Sequence, residues 1–474
     1  MILLLLSTAS LASRPDSGTG LYAFDSTDVL EYVDGPLELV RVHYSIDGPN
    51  ETRLDDLDES GYPDFAEDVA STAEDVLRFY AEQGFRGPIT EAEAGLSDLG
   101  GSAGFDFYLL DFGGSADGMF SIDGCIGGSY RCAGHMLMEN DFRGYGYSSL
   151  DEAITVLTSH ELFHAVQAAY QANQPPWLGE GTAVWAEYQY DSSIDDFYWF
   201  ASEYLTDPGR TIDSPPAGAI SSFSYGTALF FQFLSDRLGT ETGVTIQEEM
   251  EGRSDDEGLD AVLAAMESHG AQLTEEWSTF ARWNLATGRR AGEAESYTFA
   301  EEIGPIAAEA KGASIQDDNR FYPLAASYFH LTHEGGPLAF ASAEDATGLH
   351  FSLHAVADGS DDGPVADALA TWIPTGTFSE TLEDLPAGGY WLVGSYPEAA
   401  SQSVKIEFCL GPPESVSPCL ESIDEAGDTG ASAEPSEDGC GCAAQGSSGS
   451  AAWLGLGLLG LVRRRSTPQT RPSR

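Results

Sequence analysis

The 474-residue sequence predicts an α+β domain, with a mixed β upper half and a helical lower half, followed by an all-β sandwich. Three stretches carry that reading. Residues 20–150 mix alternating segments, Leu37 to Tyr44 and Phe105 to Phe112, with one clear helix over 65–83. Residues 151–310 are mainly helical, including the apolar Thr227 to Leu238 and the run Glu275 to Ala286. From 318 to 410 the period becomes two, in Tyr328 to Thr332, His350 to Ala355 and Gly389 to Val393, separated by Gly, Pro and Asp turns.

At the start of the chain, Met1 to Ala12 is apolar and closes on Ser10-Leu11-Ala12. It reads as a secretory signal over 1–12 cleaved near Ser13, without the usual basic n-region. The segment 56–67 then reads as a twelve-residue calcium loop. Asp56, Asp58, Ser60, Asp64 and Glu67 supply side-chain oxygens at its positions 1, 3, 5, 9 and 12, and Tyr62 supplies its carbonyl at position 7. Gly61 falls where the turn needs a residue free of Cβ. Pro63 and the Ser at position 5 depart from the usual pattern, and an acidic turn capping the next helix is the alternative.

The chemistry centres on His160-Glu161-Leu162-Phe163-His164, an H-E-x-x-H pattern. Apolar residues recur at helical intervals from Asp151 to Tyr170, Ser149 and Glu152 form a capping-box start, and Pro175-Pro176 lies beyond the end. On a helix, positions i and i+4 share a face, so His160 and His164 can bind one zinc ion while Glu161 serves as general base toward water. A catalytic zinc needs a third protein ligand. The segment Trp177 to Glu187 offers Glu180, the expected ligand, and Glu187, its competitor.

Trp177-Leu178-Gly179-Glu180-Gly181 resembles the W-L-x-E-G segment of the gluzincin aminopeptidases and epoxide hydrolases, which implies Glu180 as third ligand and Glu187 as the second acidic position. Ser224-Tyr225-Gly226-Thr227-Ala228 is similar to their S-Y-x-x-G segment, which implies that Tyr225 donates to the oxyanion. Residues 35–300 also resemble a family of secreted metalloproteases common in myxobacteria, through D-x-D-x-S-G-Y-P-D, F-D-F-Y-L-L, M-E-N-D-F, H-E-L-F-H-A-V-Q and W-L-x-E-G-T-A-V-W. The resemblance implies a zincin-like fold and a zinc endopeptidase acting on protein or peptide substrates. Two other functions compete. In an aminopeptidase, Glu139 of Met138-Glu139-Asn140 would anchor the free amine; otherwise the segment reads as an edge strand that pairs with extended substrate. A surface adhesin with an inactive peptidase fold is the other.

A formal charge of −56, a pI near 4.1 and only two lysines, Lys311 and Lys405, make nucleic acid and anionic membrane surfaces poor partners. The pairs Cys125 and Cys132, and Cys409 and Cys419, are each close enough to form a disulfide in an oxidising compartment. His43, His330, His333, His350 and His354 read as strand positions rather than ligands. Leu385 to Val393 looks like the closing hairpin of sandwich modules attached to secreted peptidases, and 411–439 reads as a disordered acidic linker. Over 440–474, the Cys440 and Cys442 motif, the apolar Ala451 to Val462 and Arg463-Arg464-Arg465 resemble the MYXO-CTERM sorting tail. That resemblance implies processing and lipidation at Cys440 or Cys442, and export and sorting machinery as partners that leave the protein on the outer surface.

Overall fold

In the computed structural model, residues 14–428 are described, apart from 21, 218 and 219. The expected signal segment and the sorting tail with Cys440 and Cys442 lie outside these residues. The chain is α+β and divides into two compact units, one containing 14–204 and 215–271, the other 205–214 and 272–428.

The first unit opens with β1 (Leu30–Asp34) and β2 (Val40–Ser45), then α1 (Asp64–Glu82), β3 (Phe105–Leu110), β4 (Gly118–Cys125) and β5 (Cys132–Glu139). The helices α2 (Leu150–Ala168), α3 (Pro176–Tyr190), α4 (Asp196–Tyr204), α5 (Ser222–Gly226), α6 (Ala228–Leu238), α7 (Glu241–Met250) and α8 (Gly258–Ser268) follow. The sheet runs β1-β2-β3-β5-β4, parallel through β2, β3 and β5 and antiparallel at both edges. Helices α1 and α2 pack on it. Phe24, with Tyr22 beside it, packs on Tyr108, Leu110 and Leu137, and the buried Arg14 guanidinium is held by Asp106 and Asp123.

Burial explains why α2 is apolar on nearly every side. Ile154, Leu157, Leu162, Phe163 and Val166 are all buried, because α1, α3 and the sheet enclose the helix. Ser149 caps it by accepting the Glu152 amide at 3.0 Å. The reciprocal capping bond goes to Ser148 instead, whose amide the Glu152 carboxylate accepts.

The second unit holds α9 (Leu273–Leu285), then β6 (Ala310–Gly312), β7 (Ile315–Phe321), β8 (Ala325–His333), β9 (Gly336–Ser342), β10 (His350–Val356), β11 (Val365–Trp372), β12 (Phe378–Leu385), β13 (Gly388–Tyr396), β14 (Val404–Gly411) and α10 (Pro413–Asp428). The sheets β11-β10-β13-β8-β6 and β12-β9-β14-β7 share one core that includes Phe329, Phe351 and Leu392 from the first and Phe340, Ile406 and Phe408 from the second. This is the expected β-sandwich.

Several boundaries differ from the sequence reading. The run Glu275 to Ala286, assigned to the helical half ending at 310, is α9 and packs on β8 and β13 of the sandwich unit, with Tyr328 Oη donating to the Ala281 carbonyl at 2.9 Å. Helical periodicity reveals an apolar face but not which surface covers it. The expected hairpin at Leu385 to Val393 is a crossing between sheets, because β12 pairs with β9 whereas β13 pairs with β8 and β10. Residues 413–428 of the expected disordered linker form α10. Val416 and Cys419 pack on Ala339, Ala341 and Cys409, and the Cys409–Cys419 disulfide ties the helix to β14. A composition low in apolar residues hid the few that anchor it.

Candidate metal centre

Helix α2 presents His160 and His164 one turn apart, and α3 presents Glu180 and Glu187 two turns apart on one face. The two helices pack together. His160 Nε2 and His164 Nε2 lie 3.1 Å apart, and Glu180 Oε2 lies 3.3 Å from the first and 3.4 Å from the second. Ligand distances of about 2.0–2.1 Å around a tetrahedral ion place neighbouring donor atoms roughly 3.3–3.4 Å apart, so the trio can hold one metal ion.

The tautomers suit that role. Gln167 donates through Nε2 to the Gly179 carbonyl and Thr182 Oγ1, both at 2.8 Å, which turns its Oε1 toward His164 Nδ1 at 2.7 Å. Nδ1 of His164 therefore carries the proton, and Nε2 is left as the donor atom for a metal. Glu187 Oε1 performs the same task for His160 Nδ1. The sequence reading placed Glu187 beside the site; the structure makes it the orienting partner of His160 rather than a third ligand.

Buried carboxylates dominate the electrostatics. Burial alone would depress both imidazoles, but Glu187 and Glu180 hold His160 above its ordinary value and Glu180 does so for His164. A negative potential that favours a proton here equally attracts a cation. Burial would raise Glu180 too, yet the two imidazoles outweigh it and keep this carboxylate ionised. Glu161 differs: burial raises its pKa, only partly opposed by His164 and His160, which makes it a better proton acceptor than an exposed carboxylate.

Glu161 faces β4, where the Phe120 amide stabilises its charged form. A Cβ on Gly118 would meet Leu157 Cδ1 at 2.3 Å and Glu161 Cγ at 3.4 Å, so glycine is what lets this strand lie against the helix. β4 is an edge strand. The expected edge strand at Met138-Glu139-Asn140 is instead the end of β5, an interior strand paired on both sides. Hydrophobic alternation cannot distinguish interior from edge when both faces of a sheet are covered.

Tyr225 on α5 also reaches the site. Its ring stacks on Phe200 at 4.8 Å between centroids and lies 5.9 Å from His160. Burial, reinforced by Glu180 and Glu161, pushes its phenol well above the ordinary value, so it stays protonated and able to donate. Two nearby residues escaped the sequence reading. Asp117 accepts Tyr147 Oη at 2.7 Å and sits within electrostatic reach of His160. They stand 30 positions apart in loops without a motif.

Glu139 is 3% exposed, and its Oε2 accepts the Phe112 amide at 3.0 Å and Tyr145 Oη at 2.8 Å. Burial, with Asp111 and Asp141 nearby, raises its pKa to about 7 despite those two donors.

Elsewhere in the first unit, carboxylate oxygens of Asp56, Asp58 and Asp64 converge. Ser60 Oγ donates to Glu67 at 2.7 Å and takes the Tyr62 amide at 3.1 Å, while Gly61 adopts a φ of 94° as the turn requires. Cys125 and Cys132 are joined by a disulfide, as are Cys409 and Cys419. His43, His330, His333, His350 and His354 all lie on strands, and His135 on β5 bonds Asp123 at 3.0 Å. No described helix is long and apolar enough to cross a membrane.

No family profile matches the sequence, and no curated protein does. Among solved structures, this chain is similar to PliG of Aeromonas hydrophila, a periplasmic inhibitor of g-type lysozyme, at 20% identity over 22% of this chain and 96% of that one. The TM-score is 0.15, and a likeness of that extent carries no argument about fold or function.

Proposed function

We propose that the chain is a zinc-dependent metalloendopeptidase with a zincin-like catalytic unit. The observation that carries this reading is the convergence of His160 Nε2, His164 Nε2 and Glu180 Oε2 to within 3.4 Å of one another, with both Nδ1 atoms held by acceptors. His160, His164 and Glu180 would hold a zinc ion, which would supply Lewis-acid chemistry to the site. Glu161, half-buried beside these residues, accepts the proton of the attacking water and returns it to the leaving amine. Tyr225, kept protonated, donates to the oxygen on which charge develops. The free side of β4 offers main-chain groups to an extended peptide drawn across Glu161.

Calcium binding by the 56–67 loop is part of the same reading, supported by the convergence of Asp56, Asp58 and Asp64. Two disulfides fit an oxidising compartment, which agrees with export and display at the cell surface.

Glu161→Gln separates this function from that of an inactive adhesin. The substitution retains shape and removes the base, so bound zinc stays stoichiometric by elemental analysis while hydrolysis of a quenched fluorogenic peptide falls by about 10³-fold or more. Undiminished hydrolysis by the variant refutes the mechanism.

A further inference from the structure

A cavity of about 580 Å³ opens at the carboxyl ends of the parallel strands β2, β3 and β5, the place where open α/β sheets commonly receive ligands. Its lining includes Glu51, Asp111, Glu139 and Asp141, against one cation, Arg143, which pairs with Asp141 at 3.3 Å. The cavity is therefore strongly anionic.

Glu139 gives it a buried floor. The residue is 3% exposed and lines the cavity, yet both of its donors, the Phe112 amide and Tyr145 Oη, bind the same oxygen, Oε2. Among the described residues none donates to Oε1. An ionised carboxylate has about four acceptor sites and favours a cationic donor where its own chain provides none. Its raised pKa marks the same shortage of positive partners.

A chain of neighbouring residues links the cavity to the candidate metal centre. Tyr145 Oη bonds the Ala116 carbonyl, next to Asp117, and Asp117 lies within electrostatic reach of His160. The Glu139 amide bonds the Asp117 carbonyl at 2.9 Å, three residues along the strand from Phe120, whose amide faces Glu161. At about 3.3 Å per residue, that separation is roughly 10 Å. A lysine or arginine side chain two to four residues along an extended substrate spans a separation of that order.

We propose that this cavity is a substrate subsite for the cationic side chain of a lysine or arginine two to four residues from the scissile bond. The subsite rests on the peptidase reading, so its test uses binding rather than turnover. Zinc-loaded Glu161→Gln protein is titrated with acetylated, amidated alanine hexapeptides that carry one lysine or one norleucine, and with an unblocked norleucine peptide. Lysine at the best position binds at least fivefold tighter than norleucine, and added Asp111→Asn or Glu51→Gln, both exposed positions, brings lysine binding within twofold of norleucine binding. Glu139→Gln, the stronger test, is read only if its thermal unfolding matches the parent. Equal binding of lysine and norleucine peptides, or a preference for the unblocked peptide alone, overturns the proposal. Lysine preference in binding without hydrolysis by the parental enzyme would retire the peptidase reading and leave the cation site standing.

Discussion

Glu187→Gln probes whether the orientation of His160 is worth as much as the ligand itself. Glu187 is 1% exposed, binds His160 Nδ1 through Oε1, and keeps a buried Oε2 without a partner among the described residues. Glutamine preserves the volume and one acceptor oxygen while removing the charge. A hydrogen bond to an ionised group contributes about 1.5–3 kcal/mol against about 1 for a neutral one, so the change removes roughly 0.5–2 kcal/mol. At 1.36 kcal/mol per tenfold, zinc affinity should fall about 2- to 30-fold, overlapping the ~10–100-fold range typical of residues that orient metal-bound histidines. Competition with a chromophoric chelator at pH 7.5 measures it, with near-ultraviolet circular dichroism as the check on folding. Equal zinc affinity in a folded Glu187→Gln protein would refute the orienting role.

Tyr225→Phe keeps the ring on Phe200 and His160 but removes the hydroxyl, so kcat should drop about 10²- to 10³-fold with zinc affinity unchanged; unaltered turnover would reduce Tyr225 to packing. In the sandwich unit, His354 Nδ1 donates to the Ala366 carbonyl at 3.0 Å, Nε2 lies 3.0 Å from Ser352 Oγ, and burial lowers its pKa to about 4. Below pH 6.5 the unfolded chain takes up a proton that the folded one refuses, so about 3 kcal/mol of stability present above pH 6.5 is lost as the pH falls through 4. Urea unfolding at pH 7.5 and pH 4.5 should show that loss in the parent and a smaller one in His354→Gln; identical pH dependence counts against it. Calcium at one hundred times its dissociation constant should stabilise the first unit by about 2.7 kcal/mol, and Asp58→Asn should abolish most of the gain, read as Tm with and without calcium chloride. A Tm indifferent to calcium in both proteins leaves 56–67 as a capping turn.

Much of the centre is legible in the linear chain because helices turn spacing into direction. His160, Glu161 and His164 could only share one face, and Glu180 needed only a second helix nearby. The cysteine pairs were readable for a similar reason: short separations keep partners within reach. The positive φ of Gly61 and the strand positions of the sandwich histidines followed from local backbone demands.

What packing assigns could not be read that way. Whether α9 lies on helices or on strands, whether β4 or β5 is the edge, and whether β12 and β13 share a sheet depend on pairings among distant residues, and period-two or 3.6-residue patterns are the same in each case. Gln167 and Asp117 acquire meaning only when tertiary contacts bring a carbonyl, a hydroxyl or an imidazole to them. By itself the sequence determined which side chains could hold a metal, their helical phase and the oxidised cysteines, all local properties of spacing. The tertiary structure alone decided the role of Glu187, the strand that flanks Glu161 and the anionic cavity under Glu139, because hydrogen-bond partners, edges and cavities exist only between segments far apart along the chain.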